Sequence, residues 1–203
     1  VKTANEEYPI DLVIFSGDAI NKGGEGFASL NDGFLSFQTI LIEPLMETLH
    51  LPLTNFIWCI GNHDIDRKLD SKYAEAGIAG KLTSLQAIDD FCSDKNNLRD
   101  IRRIEPFKSY EKSFYQSALG CNYKFGDFES CYKYQIGNKK IGICCLNSVW
   151  RCWDSSTDKG RILMGREQLS RASDFLKDCD VKIAVSHHDY TSRSEERFSR
   201  NAE

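Results

Sequence analysis

The stretch Phe56-Ile-Trp-Cys-Ile-Gly-Asn-His-Asp64 joins five apolar residues directly to a polar cluster. A short, continuous apolar run that closes at glycine is typical of a strand buried on both faces of a sheet. A similar run, Asp11-Leu-Val-Ile-Phe-Ser16, closes at Gly17 and is followed by Asp18. Both polar clusters therefore follow the carboxyl end of a predicted buried strand.

The residues between these two runs predict a helix from about Leu30 to Leu49, because apolar side chains recur at steps of three and four. Pro44 is expected to kink or break this helix. A strand, a crossover helix and a second strand form the unit of a parallel α/β sheet. The periodic positions are Phe34, Phe37, Leu41, Leu45 and Leu49.

The rest of the chain predicts an insertion and a second group of strands. Residues 71–118 are charged and show helical spacing, so we predict a helical insertion whose charges, Arg103 among them, face solvent. Gly137-Asn138 lies between two apolar runs and predicts a hairpin. A helix over 165–177 and a last buried strand over 181–186 follow.

The composition of the 203 residues limits the classes of protein and partner. With 41% hydrophobic residues the chain can bury the core of one domain, which we expect to span residues 1–203. A formal net charge of −4 provides no basic field for a polyanion, so nucleic acid is not a favoured partner. No stretch approaches the ~20 apolar residues of a membrane span, so no membrane partner is expected.

The eight cysteines include no Cys-x-x-Cys pair, which disfavours a zinc ribbon or a thioredoxin-type site. Most of them lie inside apolar runs or are scattered without regular spacing. Buried cysteine behaves as a small apolar residue. We therefore predict reduced thiols and a cytoplasmic location.

Polar clusters follow three of the predicted strands: Gly17-Asp18, Gly61-Asn-His-Asp64 and His187-His-Asp189. In open α/β sheets ligands bind beyond the carboxyl ends of the strands, so these clusters can share one site. Carboxylate, amide oxygen and imidazole together suit divalent metal ions. Two such ions can activate a water and hold the oxygens of a phosphoryl displacement, and an unligated imidazole can protonate the leaving oxygen.

These clusters resemble successive motifs of the calcineurin-like metallophosphoesterases, over about residues 9–190. The resemblance implies a β-sandwich of mixed sheets flanked by helices, and hydrolysis of phosphate esters with two divalent metal ions: manganese, iron, zinc or a mixture. It implies that Asp18 bridges the two ions, and that Asn62 and His187 bind one of them. His63 would face the substrate, with Asp64 as its orienting partner.

Two motifs of that family do not occur in the chain. The opening Asp-x-His is expected before Asp18, and the closing Gly-His-x-His is expected after His187. Both gaps adjoin the ends of the sequence, so we expect the natural protein to continue at both ends. If it does not, one ion would lose most of its ligands, and a binding or regulatory domain without catalysis becomes the alternative.

Three residues are further candidates for contacts with a substrate: Arg67, Asn147 and His188. The Arg67 guanidinium matches phosphate oxygens, or it pairs with a neighbouring aspartate, Asp64 or Asp66. Trp150, Trp153 and Tyr190 could stack on a nucleotide, or they belong to the core or its rim. A small phosphodiester, such as a cyclic nucleotide, is the first expectation for the substrate; a nuclease acting on DNA or RNA is the alternative.

Overall fold

The structure, a computed structural model, describes residues 2–116, 122–154, 158 and 162–189. It is a mixed α/β fold with two sheets. The helices are α1 (Lys2–Glu7), α2 (Leu30–Phe37), α3 (Glu43–Leu49), α4 (Lys72–Lys81), α5 (Leu85–Ser93), α6 (Glu105–Phe114) and α7 (Arg166–Phe175). The strands are β1 (Val13–Phe15), β2 (Phe56–Trp58), β3 (Tyr123–Phe125), β4 (Glu129–Ile136), β5 (Lys139–Leu146) and β6 (Val181–Ser186).

Strands β1 and β2 pair in parallel, with Ile14 opposite Ile57, as the strand–helix–strand pattern predicts. The predicted helix lies between them, but a π-helical segment, Gln38–Ile42, separates α2 from α3. A π-turn adds a residue to the helical repeat, which rotates the positions that follow it. Leu41, a predicted core position, is accordingly 41% exposed, and its neighbour Ile42 is fully buried.

The second sheet has the strand order β3-β4-β5-β6. Strands β4 and β5 form the predicted antiparallel hairpin, and Gly137 adopts a φ of 57° in its turn. Helix α7 then carries the chain to β6, which pairs in parallel with β5. The carboxyl end of β6 therefore leads into His187, as the end of β2 leads into residues 61–64.

The buried side chains arrange these elements in layers. On one face of β2, Trp58 contacts aromatic rings of α2 and α6. On the other face, Ile57 belongs to the same cluster as Ile143 of the second sheet. The opposite side of β5 presents Cys144 to the cluster that includes Leu176, just after α7. The order is thus helices, two-stranded sheet, four-stranded sheet and α7.

Two strands are less buried than the apolar runs predict. In β1, Ile14 is 40% exposed, and in β6 Val181 and Ile183 are 42% and 39% exposed. Each of these strands pairs with only one neighbour in the described sheets. The predictions that β1 is buried on both faces and that β6 is a buried strand are wrong, because an apolar run does not distinguish an edge strand from a central one.

The predicted helical segment contains α4, α5 and α6, but its charges do not all face solvent. Arg103 is completely buried and donates to Asp70 and Glu75, at 2.5 and 2.6 Å. Its guanidinium also donates to the Cys152 carbonyl and lies 4.9 Å from the Trp153 ring centre. Burial of this arginine is stable because two carboxylates and a carbonyl satisfy it.

Seven of the cysteines lie in the described segments, and all seven are free thiols, as predicted. Cys121 lies outside the described residues. Among the described residues, no helix combines the length and the apolar character that crossing a membrane requires.

Candidate metal centre

The three predicted ligands come from three separate segments and meet at one point. His187 Nε2 lies 2.9 Å from Asn62 Oδ1 and 3.4 Å from Asp18 Oδ1. Asp18 follows β1, Asn62 follows β2 and His187 follows β6. The carboxyl ends of these strands therefore bring a carboxylate, an amide and an imidazole together, as the sequence predicts. We call Asp18, Asn62 and His187 the ligand trio.

The hydrogen bonds of His187 determine which ring nitrogen is available. Nδ1 lies 2.9 Å from the Ser16 carbonyl oxygen, which can only accept a hydrogen bond. Nδ1 therefore carries the proton of the neutral ring, and Nε2 presents a lone pair to Asn62 and Asp18. Metal-binding histidines commonly hold their second nitrogen in this way.

The spacing within the ligand trio fits one metal ion. Ligands bound at right angles, each ~2.1 Å from an ion, stand roughly 3 Å apart. The distances from His187 Nε2 to Asn62 Oδ1 and Asp18 Oδ1, 2.9 and 3.4 Å without a hydrogen between the atoms, match that spacing. Among the described residues, no three His, Cys, Asp or Glu side chains lie together in a group that could hold a metal ion. The ligand trio is not such a group, since its third member is the amide of Asn62.

The loops that carry the trio approach each other through two glycines. Gly17 has a φ of 105° and Asp18 a φ of 62°, conformations that bend the chain sharply after β1. A Cβ atom on Gly17 would lie 2.7 Å from the Gly61 backbone and 2.9 Å from His187 Nδ1. Only residues without a Cβ allow the three strand ends to converge at this distance.

Asp64 is fully buried and holds the two loops together. Its Oδ2 accepts the N–H groups of Asp18 and Gly61, at 3.0 and 2.9 Å, and its Oδ1 accepts that of Ile20 at 3.1 Å. Burial, with a smaller contribution from the nearby Asp18 charge, raises the pKa of Asp64 to about 6 against the lowering effect of these three donors. The carboxylate therefore binds backbone, and its predicted pairing with His63 is not observed.

The substitution Asp64→Asn is expected to lower the free energy of unfolding by about 1–3 kcal/mol. The amide oxygen can accept from Asp18 and Gly61, but the amide nitrogen would face the Ile20 N–H, which leaves two buried donors opposed. Urea unfolding of metal-free protein at about pH 7.5, above the pKa of Asp64, measures the effect.

Asp66→Asn is the matched control. Asp66 accepts the Lys68 N–H at the start of a 3-10 turn, and asparagine caps such turns equally well. Equal unfolding midpoints for the two variants would contradict the role assigned to Asp64.

His63 is fixed by three backbone contacts. Its N–H donates to Asp18 Oδ1 at 2.9 Å, and its carbonyl accepts the Gly23 N–H at 2.8 Å. Its Nδ1 accepts the Lys22 N–H at 3.1 Å, so the proton of the neutral ring is on Nε2. Among the described residues no group forms a hydrogen bond with Nε2, so this N–H is available to a bound ligand.

A pocket of about 330 Å³ lies beside the ligand trio and is lined by Asn62, His63, Arg67 and neighbouring residues. Arg67 donates to the Asn62 carbonyl at 3.2 Å and lies 3.7 Å from the Asp158 carboxylate. The ion pair expected with Asp64 or Asp66 is thus made with Asp158. A guanidinium positioned at the edge of the trio suits the oxygens of a phosphate group.

The comparison with protein families agrees with this geometry. The family model described as calcineurin-like phosphoesterase matches residues 1–202. The chain belongs to this family. Calcineurin-like phosphoesterases hydrolyse phosphate esters and generally depend on two metal ions. Comparison with curated proteins and with solved structures gives no match.

In this calcineurin-like phosphoesterase, Asn147 has a structural position. It is buried, its side-chain oxygen accepts the N–H groups of Val149 and Trp150, and its amide donates to the Asp127 carbonyl. These bonds occupy the side chain with the turn after β5. We therefore exclude Asn147 from the proposed substrate contacts.

His188 packs against His187. Its ring lies edge-on to His187, with 4.8 Å between the centroids, and its Nδ1 lies 3.0 Å from Ser148 Oγ. Burial lowers the pKa of His188, and a positive charge on His187 would lower it further. The described contacts support the orientation of His187, and the predicted substrate contact of His188 stays a prediction.

Several groups that shape the phosphoesterase site carry no sequence signal. The Ser16 carbonyl and the Lys22 N–H act through backbone atoms, which every residue possesses. Asp158 lies in a polar loop, 91 positions from Arg67 in the sequence. Its role follows only from the folded path of the chain.

Proposed function

We propose that the chain is a metal-dependent phosphodiesterase of the calcineurin-like family that uses two divalent metal ions, one of them held by the ligand trio. The proposed ions are manganese, iron, zinc or a mixture, with Asp18 as the bridging ligand. The single observation that carries the proposal is the trio itself, in which His187 Nε2 presents a lone pair to Asn62 and Asp18 within 3.4 Å. The proposed domain is a β-sandwich over residues 1–203, and its free cysteines support a cytoplasmic location.

The metal ions would stabilise negative charge on the phosphoryl oxygens and lower the pKa of water. The chain's own residues hold and protonate the substrate. The N–H groups of Arg67 would donate to a phosphate oxygen, and His63 lines the same pocket. As water adds to phosphorus and the bond to the leaving oxygen breaks, His63 donates its Nε2 proton to that oxygen, and the proton lost by the water returns to the ring.

The described aromatic residues disfavour a stacked nucleic-acid substrate. Trp150 is completely buried and stacks on Phe91, and Trp153 covers the Arg103 guanidinium. Tyr190 lies outside the described residues. A small phosphodiester therefore fits the pocket better than a polynucleotide, and nuclease activity is the less favoured function.

One observation favours a second candidate, a domain that binds without catalysis. The described residues supply a ligand trio for a single ion. Metal binding and hydrolysis by the wild type are therefore both measured, to distinguish a phosphodiesterase from a domain that only binds.

The substitution Asp18→Asn is expected to weaken metal binding by at least about 10–100-fold, because an amide replaces the one anionic ligand of the trio. Asparagine keeps an oxygen for the His63 N–H, so the loop contact is retained. Calorimetric titration with Mn²⁺ and with Zn²⁺ measures affinity and ions bound per chain. Asp11→Asn, at an exposed aspartate before β1, is the matched control.

Hydrolysis of an aryl phosphodiester by the metal-loaded wild type is measured in parallel. Metal binding with hydrolysis supports the phosphodiesterase, and metal binding without hydrolysis supports the binding domain. Unchanged stoichiometry and affinity in Asp18→Asn would remove Asp18 from the metal centre. A proton on His187 Nε2 could also hold the three side chains together without a metal ion. In that case the wild type will bind neither Mn²⁺ nor Zn²⁺.

A further inference from the structure

The pocket beside the ligand trio concentrates positive charge in a chain whose net charge is −4. Three basic residues line it, Lys22, Arg67 and Lys68, and one carboxylate, that of Asp66. The Asp66 carboxylate accepts the Lys68 N–H and begins the 3-10 turn Arg67–Leu69. That turn places two consecutive cations at the pocket.

Little of this charge is neutralised by neighbouring side chains. Among the described residues the Lys68 ammonium forms no ion pair, and Lys22 approaches Glu25 only at 3.5 Å with both side chains at least 60% exposed. Such exposed pairs contribute little. Arg67 lies 3.7 Å from Asp158, a contact that orients the guanidinium more than it saturates its five donors.

Another cavity of the molecule provides a contrast. It has about 370 Å³ and contains Arg171, but this guanidinium is bound by both oxygens of Glu129, at 2.8 Å each. There the arginine is already occupied by a carboxylate. The pocket at the ligand trio instead leaves cationic donors open next to His63, the residue placed to protonate a leaving oxygen.

We propose that this pocket binds a second anionic group on the leaving arm of the substrate, so that the enzyme acts on phosphodiesters whose leaving alcohol itself carries a phosphate. The inference rests on the proposed phosphodiesterase function. Arginine forms a planar fork that matches phosphate oxygens, and lysine adds a point charge. Because His63 lines the pocket, the group that leaves lies in it, and its phosphate contacts Arg67, Lys68 and Lys22.

The test compares three substrates with the metal-loaded enzyme: phenyl methyl phosphate, its counterpart with a phosphonate on the phenyl ring, and the same counterpart with that phosphonate as its neutral dimethyl ester. The neutral ester controls for size. Because its phosphonate withdraws electrons more strongly, each kcat/KM is compared after division by the rate constant of the uncatalysed reaction of the same substrate. We expect kcat/KM to be about 10-fold higher for the charged ring than for the neutral ester, and the preference to shrink as salt is raised. Phosphorus NMR measures all three reactions.

Lys68→Met is expected to lower the ratio of charged to neutral substrate several-fold, because Arg67 and Lys22 remain, and Lys68→Glu to lower it further. Both changes are at an exposed side chain, so the fold is retained. Lys112→Met, at an exposed lysine in the last turn of α6, should keep the wild-type ratio. A wild type that hydrolyses all three substrates equally, or a preference that is undiminished in Lys68→Met, overturns the inference and leaves the phosphodiesterase intact. No hydrolysis of any of them, with metal bound, overturns the phosphodiesterase and this inference with it.

Discussion

His63→Ala is expected to lower kcat by about 10²–10⁴-fold for a phosphodiester with an alkyl leaving group, and far less for one that releases nitrophenolate. An alkoxide is a strong base and must be protonated as it departs, whereas nitrophenolate leaves without a proton. The Nε2 of His63 carries that proton, because Nδ1 is held by the Lys22 N–H. Steady-state kinetics with the two substrates measures the difference.

A loss of proton donation in His63→Ala can be distinguished from a loss of structure. The contacts from His63 to Asp18 and Gly23 use its backbone N–H and carbonyl, which alanine retains. Metal affinity of His63→Ala should therefore stay close to that of the wild type. His50→Asn is the histidine control, since His50 is exposed and its φ of 56° suits asparagine. Equal losses with both leaving groups would argue against proton donation by His63.

The sequence predicts the position of the ligand trio, because its three residues directly follow predicted strands. Asp18 and Asn62 each follow an apolar run, and the parallel pairing of β1 with β2 brings their carboxyl ends to one edge. His187 follows an apolar run of the second sheet and reaches the same edge because the two sheets pack on each other. The hairpin around Gly137 was predictable for a related reason, because the turn residues and the flanking strands are adjacent in the chain.

The partners of the charged residues were not predictable. Arg103 reads as one more charge on a polar helix, but it is buried between Asp70 and Glu75, 33 and 28 positions away. Asp64 follows His63 in sequence, yet its carboxylate turns away to the backbone of Asp18 and Ile20. Local spacing does not reveal which buried donors a carboxylate must satisfy, because those donors come from distant segments.

The predicted burial of strands β1 and β6 was wrong for a different reason. A run such as 181–186 reports that its side chains are apolar, and this property is shared by edge and central strands. The exposure of Ile183 follows from the place of β6 in the strand order, which depends on all the other strands. In the π-helical segment between α2 and α3 the buried position is Ile42 and not Leu41, because this segment changes the helical periodicity, and nothing in the spacing of apolar residues indicates it.

Gly61→Ala is expected to lower the free energy of unfolding by about 1–3 kcal/mol and to abolish metal binding at the ligand trio. A Cβ atom at this position would lie 2.1 Å from the Asp18 backbone nitrogen and 2.3 Å from Asp18 Oδ1. A backbone atom cannot rotate away as a flexible side chain can, so the loops after β1 and β2 must separate. That movement breaks the Gly61 N–H bond to Asp64 and displaces Asp18 from His187.

Gly77→Ala is the same chemical change, but it is expected to alter the free energy of unfolding in the opposite direction. Gly77 lies inside helix α4, and a Cβ atom there would have no neighbour within 4 Å. Alanine should raise the free energy of unfolding by roughly 0.5–1 kcal/mol, because it loses less backbone entropy than glycine in a helix. Denaturant unfolding and calorimetric metal titration measure both variants. Wild-type metal affinity in Gly61→Ala would show that Asp18 can meet His187 without close approach of the loops after β1 and β2. The metal centre would then have to be assigned to other residues.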